Sequence, residues 1–199
     1  MINLSRSLFI VDGPTEIYSF KGKFQKEFQF SPEFRKAGSN GISVSPEGYV
    51  DSILGTLILA FNSSFENVIC ILDREKRKLN YFKLALKIKN KIIEKLSSRT
   101  HFSEEEINSK VYVFVSDICF ENWIVADIEG IKTKDYLISQ TAIQKNYDGK
   151  NGVTILKRLM LVPYKKTLHA PKLFKAVSFE RAKNNSNSFQ IFIDTLGLA

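Results

Sequence analysis

Hydrophobic and polar positions follow blocks whose period changes along the chain. Residues 7–11 (SLFIV) form a short apolar run that stops at Asp12-Gly13, which predicts a strand followed by a turn. The spacing then switches to threes and fours. It sets Ile17, Phe20, Phe24 and Phe28 on one face of a helix that starts at Glu16 behind a Thr15 cap. Residues 37–45 read as a loop with a short strand at 42–44. Ser45-Pro46 is an N-cap followed by proline in the first helical position, so a helix is expected from there to Phe61. The run NVICIL at 67–72 has no polar alternation, as in a central parallel strand buried on both faces. A long helix is predicted over 79–96, with Tyr81, Ala85, Ile88, Ile92 and Leu96 on one stripe and lysines opposite. KVYVFVS at 110–116 is a third strand. Residues 117–127 read as a loop entering a helix, with Trp123 as a core anchor and Asp127 ending a helix face in solvent.

Residues 131–152 are polar and contain glycine, a linker or mobile loop. Short helices are expected at 152–161, 167–177 and 186–197. Strands alternating with helices define an α/β class with a mostly parallel sheet flanked by helices. The predicted organisation is an α/β domain over 1–130, with a loop and helical C-terminal extension over 131–199 packed on it. In such sheets ligands gather at the carboxyl ends of the strands.

Composition narrows the class. The chain has 199 residues, 44% hydrophobic and 25% charged, enough to build a core without disulfide or metal staples. Its two cysteines, Cys70 and Cys119, sit in apolar runs and read as buried thiols of a reducing compartment. The opening residues lack a secretory signal's apolar core, and no run reaches the roughly 18–20 apolar residues of a membrane span. A cytoplasmic protein with no membrane partner is expected. The net charge of +8 is concentrated. Residues 74–95 carry nine Lys/Arg and two Glu, and residues 157–183 carry eight Lys/Arg and one Glu, +7 in each case. Such segments suit phosphate groups, and equally suit two solvated helix faces.

Three predicted strands, those at 7–11, 67–72 and 110–116, deliver acid at or just past the carboxyl end: Asp12 with Glu16, Asp73 with Glu75, and Asp117 with Glu121. Hard oxygen ligands of this kind fit Mg²⁺, which takes one or two carboxylates and keeps several waters. Asp73 and Glu75 point together if the strand has ended in a turn, and also if it continues, since the side-chain period is two. Any one of these acids can instead cap a helix or form a turn. Phosphate-binding GxxxxGK[ST], dinucleotide-binding GxGxxG, GxSxG, CxxC and HExxH patterns are all missing from the sequence. The chemistry therefore rests on carboxylates and metal.

The blocks FIVDGPTEIYSF, VICILDREKR and VSDICFENWIVAD resemble, in order, three motifs of TOPRIM-like proteins. The third is similar to the RloB-like branch and its relatives, where a Phe-Glu-x-Trp core follows the third strand. The tail YKKTLHAPKLFKAVSFERAKNNSNSFQIFIDTL is similar to that of one such relative. The resemblance implies a TOPRIM-like, Rossmann-like sheet and a Mg²⁺-dependent (or Mn²⁺-dependent) nuclease acting on DNA or RNA, tRNA included. It further implies an effector of anti-phage defence controlled by a partner ATPase. It assigns Asp73, Glu75 and Asp12 to the metal, and Asp12, Glu16 and Glu121 to catalysis. Lys76, Arg77, Lys78, Lys165 and Lys166 are then expected on nucleic-acid phosphates. Asp12 stands where the family has Glu, and Glu75 where it has Asp. That double exchange leaves open a subunit that binds nucleic acid or scaffolds an ATPase complex without cutting. A phosphotransfer or nucleotide-hydrolysing enzyme on the same acidic edge is the third expectation.

Overall fold

The computed structural model describes residues 2–38, 44–132 and 148–198. Residues 42–43 of the expected short strand, and most of the expected 131–152 loop, lie outside the described residues.

Four strands, β1 (Ser7–Val11), β2 (Glu33–Lys36), β3 (Asn67–Asp73) and β4 (Val111–Ser116), form one sheet of order β2-β1-β3-β4. All three pairings are parallel. Ten helices accompany it among the described residues: α1 (Pro14–Phe28), α2 (Pro46–Phe61), α3 (Tyr81–Ser97), α4 (Glu104–Lys110), α5 (Glu121–Val125), α6 (Ile128–Lys132), α7 (Gly152–Leu159), α8 (Lys166–Ala176), α9 (Phe179–Lys183) and α10 (Asn187–Leu196). The chain is a Rossmann-like α/β protein whose C-terminal part is helical.

Strand alternation sorts the core into two layers. Leu8, Ile10, Val68, Cys70 and Leu72 face α2, α3 and α4, meeting Ile53, Leu57, Leu84, Ile88 and Ile92. Phe9, Val11, Ile69, Ile71 and Phe114 point the other way, into α1 and the C-terminal helices. That second layer is aromatic. Phe20 of α1 meets Phe174 of α8 at 5.1 Å between ring centroids and Phe192 of α10 at 5.7 Å. Full burial of each such ring is worth roughly 1.5–3 kcal/mol, so the C-terminal helices are held by the same core as the sheet.

One local expectation changes, and two elements, β2 and α4, are additional to those expected. α1 starts at Pro14 rather than Glu16, with Gly13 as an extended N-cap and Thr15 buried inside the helix. Proline fixes the first-turn φ and makes the Thr15 cap unnecessary. β2 is an edge strand with one buried side chain, Phe34. Its polar sequence gives no alternation to read. α4 is nucleated by a reciprocal capping box between Ser103 and Glu106.

Candidate carboxylate site

The site lies at the carboxyl edge of the sheet. Asp12 follows the last residue of β1, and its Oδ2 accepts a hydrogen bond from the Asp73 backbone N–H at the end of β3, 3.0 Å away. Asp73 Oδ1 accepts from the Ser116 hydroxyl at the end of β4, at 2.7 Å. Three adjacent strand ends are thus tied through two aspartates. β3 stops at Asp73, and Glu75 adopts a left-handed conformation with φ 53°, its N–H donating to the Ile118 carbonyl at 2.7 Å. Ile118 is itself left-handed, at φ 67°. Two non-glycine residues in that region cost on the order of 1 kcal/mol each, and here they fold the turn that brings Glu75 beside Asp73.

Glu16 enters from the first turn of α1 and is buried. Glu121 opens α5 with no exposure at all, and its Oε1 accepts from the Tyr164 hydroxyl at 2.8 Å. Asp12, Glu16, Asp73, Glu75, Lys36 and Lys166 line one pocket of ≈ 250 Å³. Lys166, the first residue of α8, reaches into it. Its Nζ lies 2.9 Å from Glu16 Oε1, 3.8 Å from Glu121 Oε2 and 4.0 Å from Asp73 Oδ2.

Electrostatics follow from burial and crowding. Burial, with the charge of Glu16 adding to it, raises the Asp12 carboxyl to about 6. Burial also pushes Asp73 well above the usual carboxylate range, and the charges of Asp12 and Glu16 act in the same direction. For Lys166 burial works against the ammonium, but Asp73, Glu121 and Glu16 outweigh it and hold its pKa above the ordinary lysine value.

The residues that could hold a hard cation are oxygen donors. Glu16 Oε1, Glu75 Oε2 and Glu121 Oε2 are buried oxygens that receive no aligned hydrogen bond and meet a cation instead, Lys166 Nζ for Glu16 and Glu121 and Arg77 Nη1 at 3.5 Å for Glu75. As they stand, no three His, Cys, Asp or Glu among the described residues are spaced as a finished metal centre. Lys166 lies between the acids that such a centre would draw together.

The basic residues separate into two groups. Lys76, Lys78 and Lys165 are exposed near this edge. Arg77 is turned inward instead. Its Nη1 donates to the Asp73 carbonyl at 2.7 Å and its Nε to the Val44 carbonyl at 3.0 Å, so it braces the turn under Glu75. Asp117 is engaged elsewhere, with Arg74 Nε at 2.7 Å and the Gly149 N–H. Asp127, expected in solvent, is buried: it accepts from the N–H groups of Gly130 and Ser178 and from Arg181 through both of its oxygens. Its partners stand up to 54 residues away, beyond any local pattern. Trp123 is fully buried, as expected, and donates to Ser188 Oγ at 2.9 Å. Cys70 is buried and Cys119 partly so, and both thiols are free. Burial pushes each up to about 12, which keeps them protonated and poorly nucleophilic.

Ser116, Tyr164 and the inward course of Lys166 were missed by sequence reasoning. Ser116 was accessible through the strand-end rule that found Asp12 and Asp73. Tyr164 had no comparable signal.

A parallel α/β sheet with carboxylates from two strand ends and two helix starts, and a serine from a third strand end, defines a Rossmann-like protein with an acidic edge site. The chain belongs to the family described as Domain of unknown function (DUF4276), which matches residues 16–197. Comparison with curated proteins and with solved structures gives no match. No helix among the described residues is long and apolar enough to cross a membrane.

Proposed function

We propose that the chain is a divalent-cation-dependent nuclease that hydrolyses phosphodiesters of DNA or RNA. One observation carries this reading: five carboxylates gather at the carboxyl edge of a parallel sheet, three of them with a buried oxygen that receives no aligned hydrogen bond and faces only a cation. In this reading Asp73 and Glu75 hold Mg²⁺ or Mn²⁺. The bound ion would polarise the phosphodiester and stabilise charge on the entering and leaving oxygens. Asp12 is the proton carrier. Its Oδ2 is held by the Asp73 N–H, which leaves Oδ1 to take a proton from an attacking water. A carboxyl raised to about 6 is suited to both accepting and releasing that proton near neutral pH. Glu16 and Glu121 orient Lys166 and Tyr164 around the site. Exposed Lys76, Lys78 and Lys165 would position phosphates without reading sequence. The TOPRIM resemblance extends the proposal to a defence effector restrained by a partner ATPase.

The ion pairs of Lys166 favour a second reading, a subunit that binds nucleic acid without turning it over. Cleavage of single- and double-stranded DNA and of tRNA with Mg²⁺ or Mn²⁺ separates the two. Metal-dependent cutting lost in Asp73→Ala supports the nuclease. Binding that falls steeply with salt, with no cutting, supports the second reading. Cutting that persists unchanged in Asp73→Ala rules this site out as its source.

A further inference from the structure

We infer that Lys166 is the resident cation of the carboxylate site: its single charge is shared among Glu16, Asp73 and Glu121 in the metal-free protein, and a divalent ion enters by displacing it. The first half stands on geometry alone; the second rests on the divalent-cation reading above.

Three carboxylates lie within 4.0 Å of this one ammonium. Glu16 is 4% exposed and Glu121 0%. Carboxylates this buried need a counter-charge in place. The ammonium cannot satisfy all of them. Glu121 Oε2 and Glu16 Oε1 remain without a hydrogen-bond donor although both face Nζ. A single positive charge thus faces three carboxylates, and a divalent ion would match that charge more closely and use those oxygens more fully.

The position of Lys166 in its helix argues the same way. It opens α8, where the positive end of the helix dipole disfavours a cation, and the N-cap residue Lys165 supplies no side-chain cap, its own N–H donating to His169 Nδ1 at 2.9 Å. Local preference therefore does not account for a lysine here, and the facing acids do. The side chain is 40% exposed, with an unbranched stem that can swing outward without disturbing the core. Lys166 is consequently both anchored and removable.

The test combines Mn²⁺ titration calorimetry with metal-free melting, on wild type, Lys166→Met, Lys166→Arg, Glu121→Gln and Lys166→Met/Glu121→Gln. The account expects Lys166→Met to bind Mn²⁺ at least tenfold more tightly than wild type and Lys166→Arg no more tightly. Without metal, Lys166→Met should melt lower, and adding Glu121→Gln should restore much of the loss, because one uncompensated buried charge has gone. If Lys166→Met and Lys166→Arg both tighten Mn²⁺ binding equally, charge is not what competes and the displacement step is overturned. Should Lys166→Met melt like wild type and bind Mn²⁺ like wild type, the counter-ion role fails while the divalent reading survives. If no variant binds Mn²⁺ yet the melting data show the Lys166–Glu121 coupling, the divalent reading fails and the counter-ion role stands. Lys166→Arg is expected to fold whatever becomes of the methionine variant, and tighter Mn²⁺ binding by it alone also overturns displacement.

Discussion

Asp12 Oδ2 accepts the backbone N–H of Asp73 at 3.0 Å, so the chemistry of β1's end is coupled to the backbone of β3's end. The raised carboxyl makes Asp12 a stability cost above its folded pKa of about 6. With a folded pKa above the ordinary 3.8, the folded state binds the proton more tightly, and the cost disappears below pH 3.8. Asp12→Asn keeps an acceptor for the Asp73 N–H and removes the charge. It should stabilise the protein by roughly 1–2 kcal/mol at pH 8, a few degrees in melting temperature, with the gain shrinking toward pH 4. Melting curves of both proteins across that range check the sign.

Gly152, the first residue of α7, packs directly on the start of α5. A Cβ there would meet Asn122 N and Glu121 C at 2.5 Å, backbone atoms that cannot rotate away. Gly152→Ala should cost roughly 1–3 kcal/mol and displace Glu121. If the variant melts like wild type, that close approach does not hold.

Asp127 joins the C-terminal helices to α6. Asp127→Ala removes the acceptor that the N–H groups of Gly130 and Ser178 share and releases Arg181, a predicted loss of about 2–4 kcal/mol. Asp127→Asn, which keeps acceptor capacity, should lose less. Chemical denaturation of the two variants gives the comparison.

The exposed lysines carry a prediction for binding. Removing Lys76, Lys78 and Lys165 together should weaken duplex DNA binding uniformly across sequences. The salt dependence should flatten by about 0.9 in log–log slope for each phosphate that is no longer neutralised. An unchanged slope in fluorescence anisotropy would place the phosphate-binding surface elsewhere.

The framework was legible where apolar runs were long. NVICIL gave β3, the apolar stripe of residues 81–96 gave α3, and Ser45-Pro46 gave the start of α2. The strand-end rule then placed Asp12, Asp73 and Glu75 on one pocket. β2 escaped because Phe34 is its one buried side chain, leaving no period to detect. α4 escaped although its Ser103–Glu106 capping box was present in the sequence. Arg77 and Lys166 read as surface cations because a basic run carries no mark of direction. Their inward course is decided by Val44, Glu16 and Glu121, acids and carbonyls distant in sequence.

The central claim, that these carboxylates form a divalent-cation site, meets its most direct test in a crystal of the protein soaked with Mn²⁺ and measured at the manganese absorption edge. The account predicts an anomalous peak bounded by Asp73 and Glu75, with Lys166 Nζ withdrawn from Glu16. An anomalous map without a peak at this edge, and with Lys166 still paired to Glu16, would contradict it.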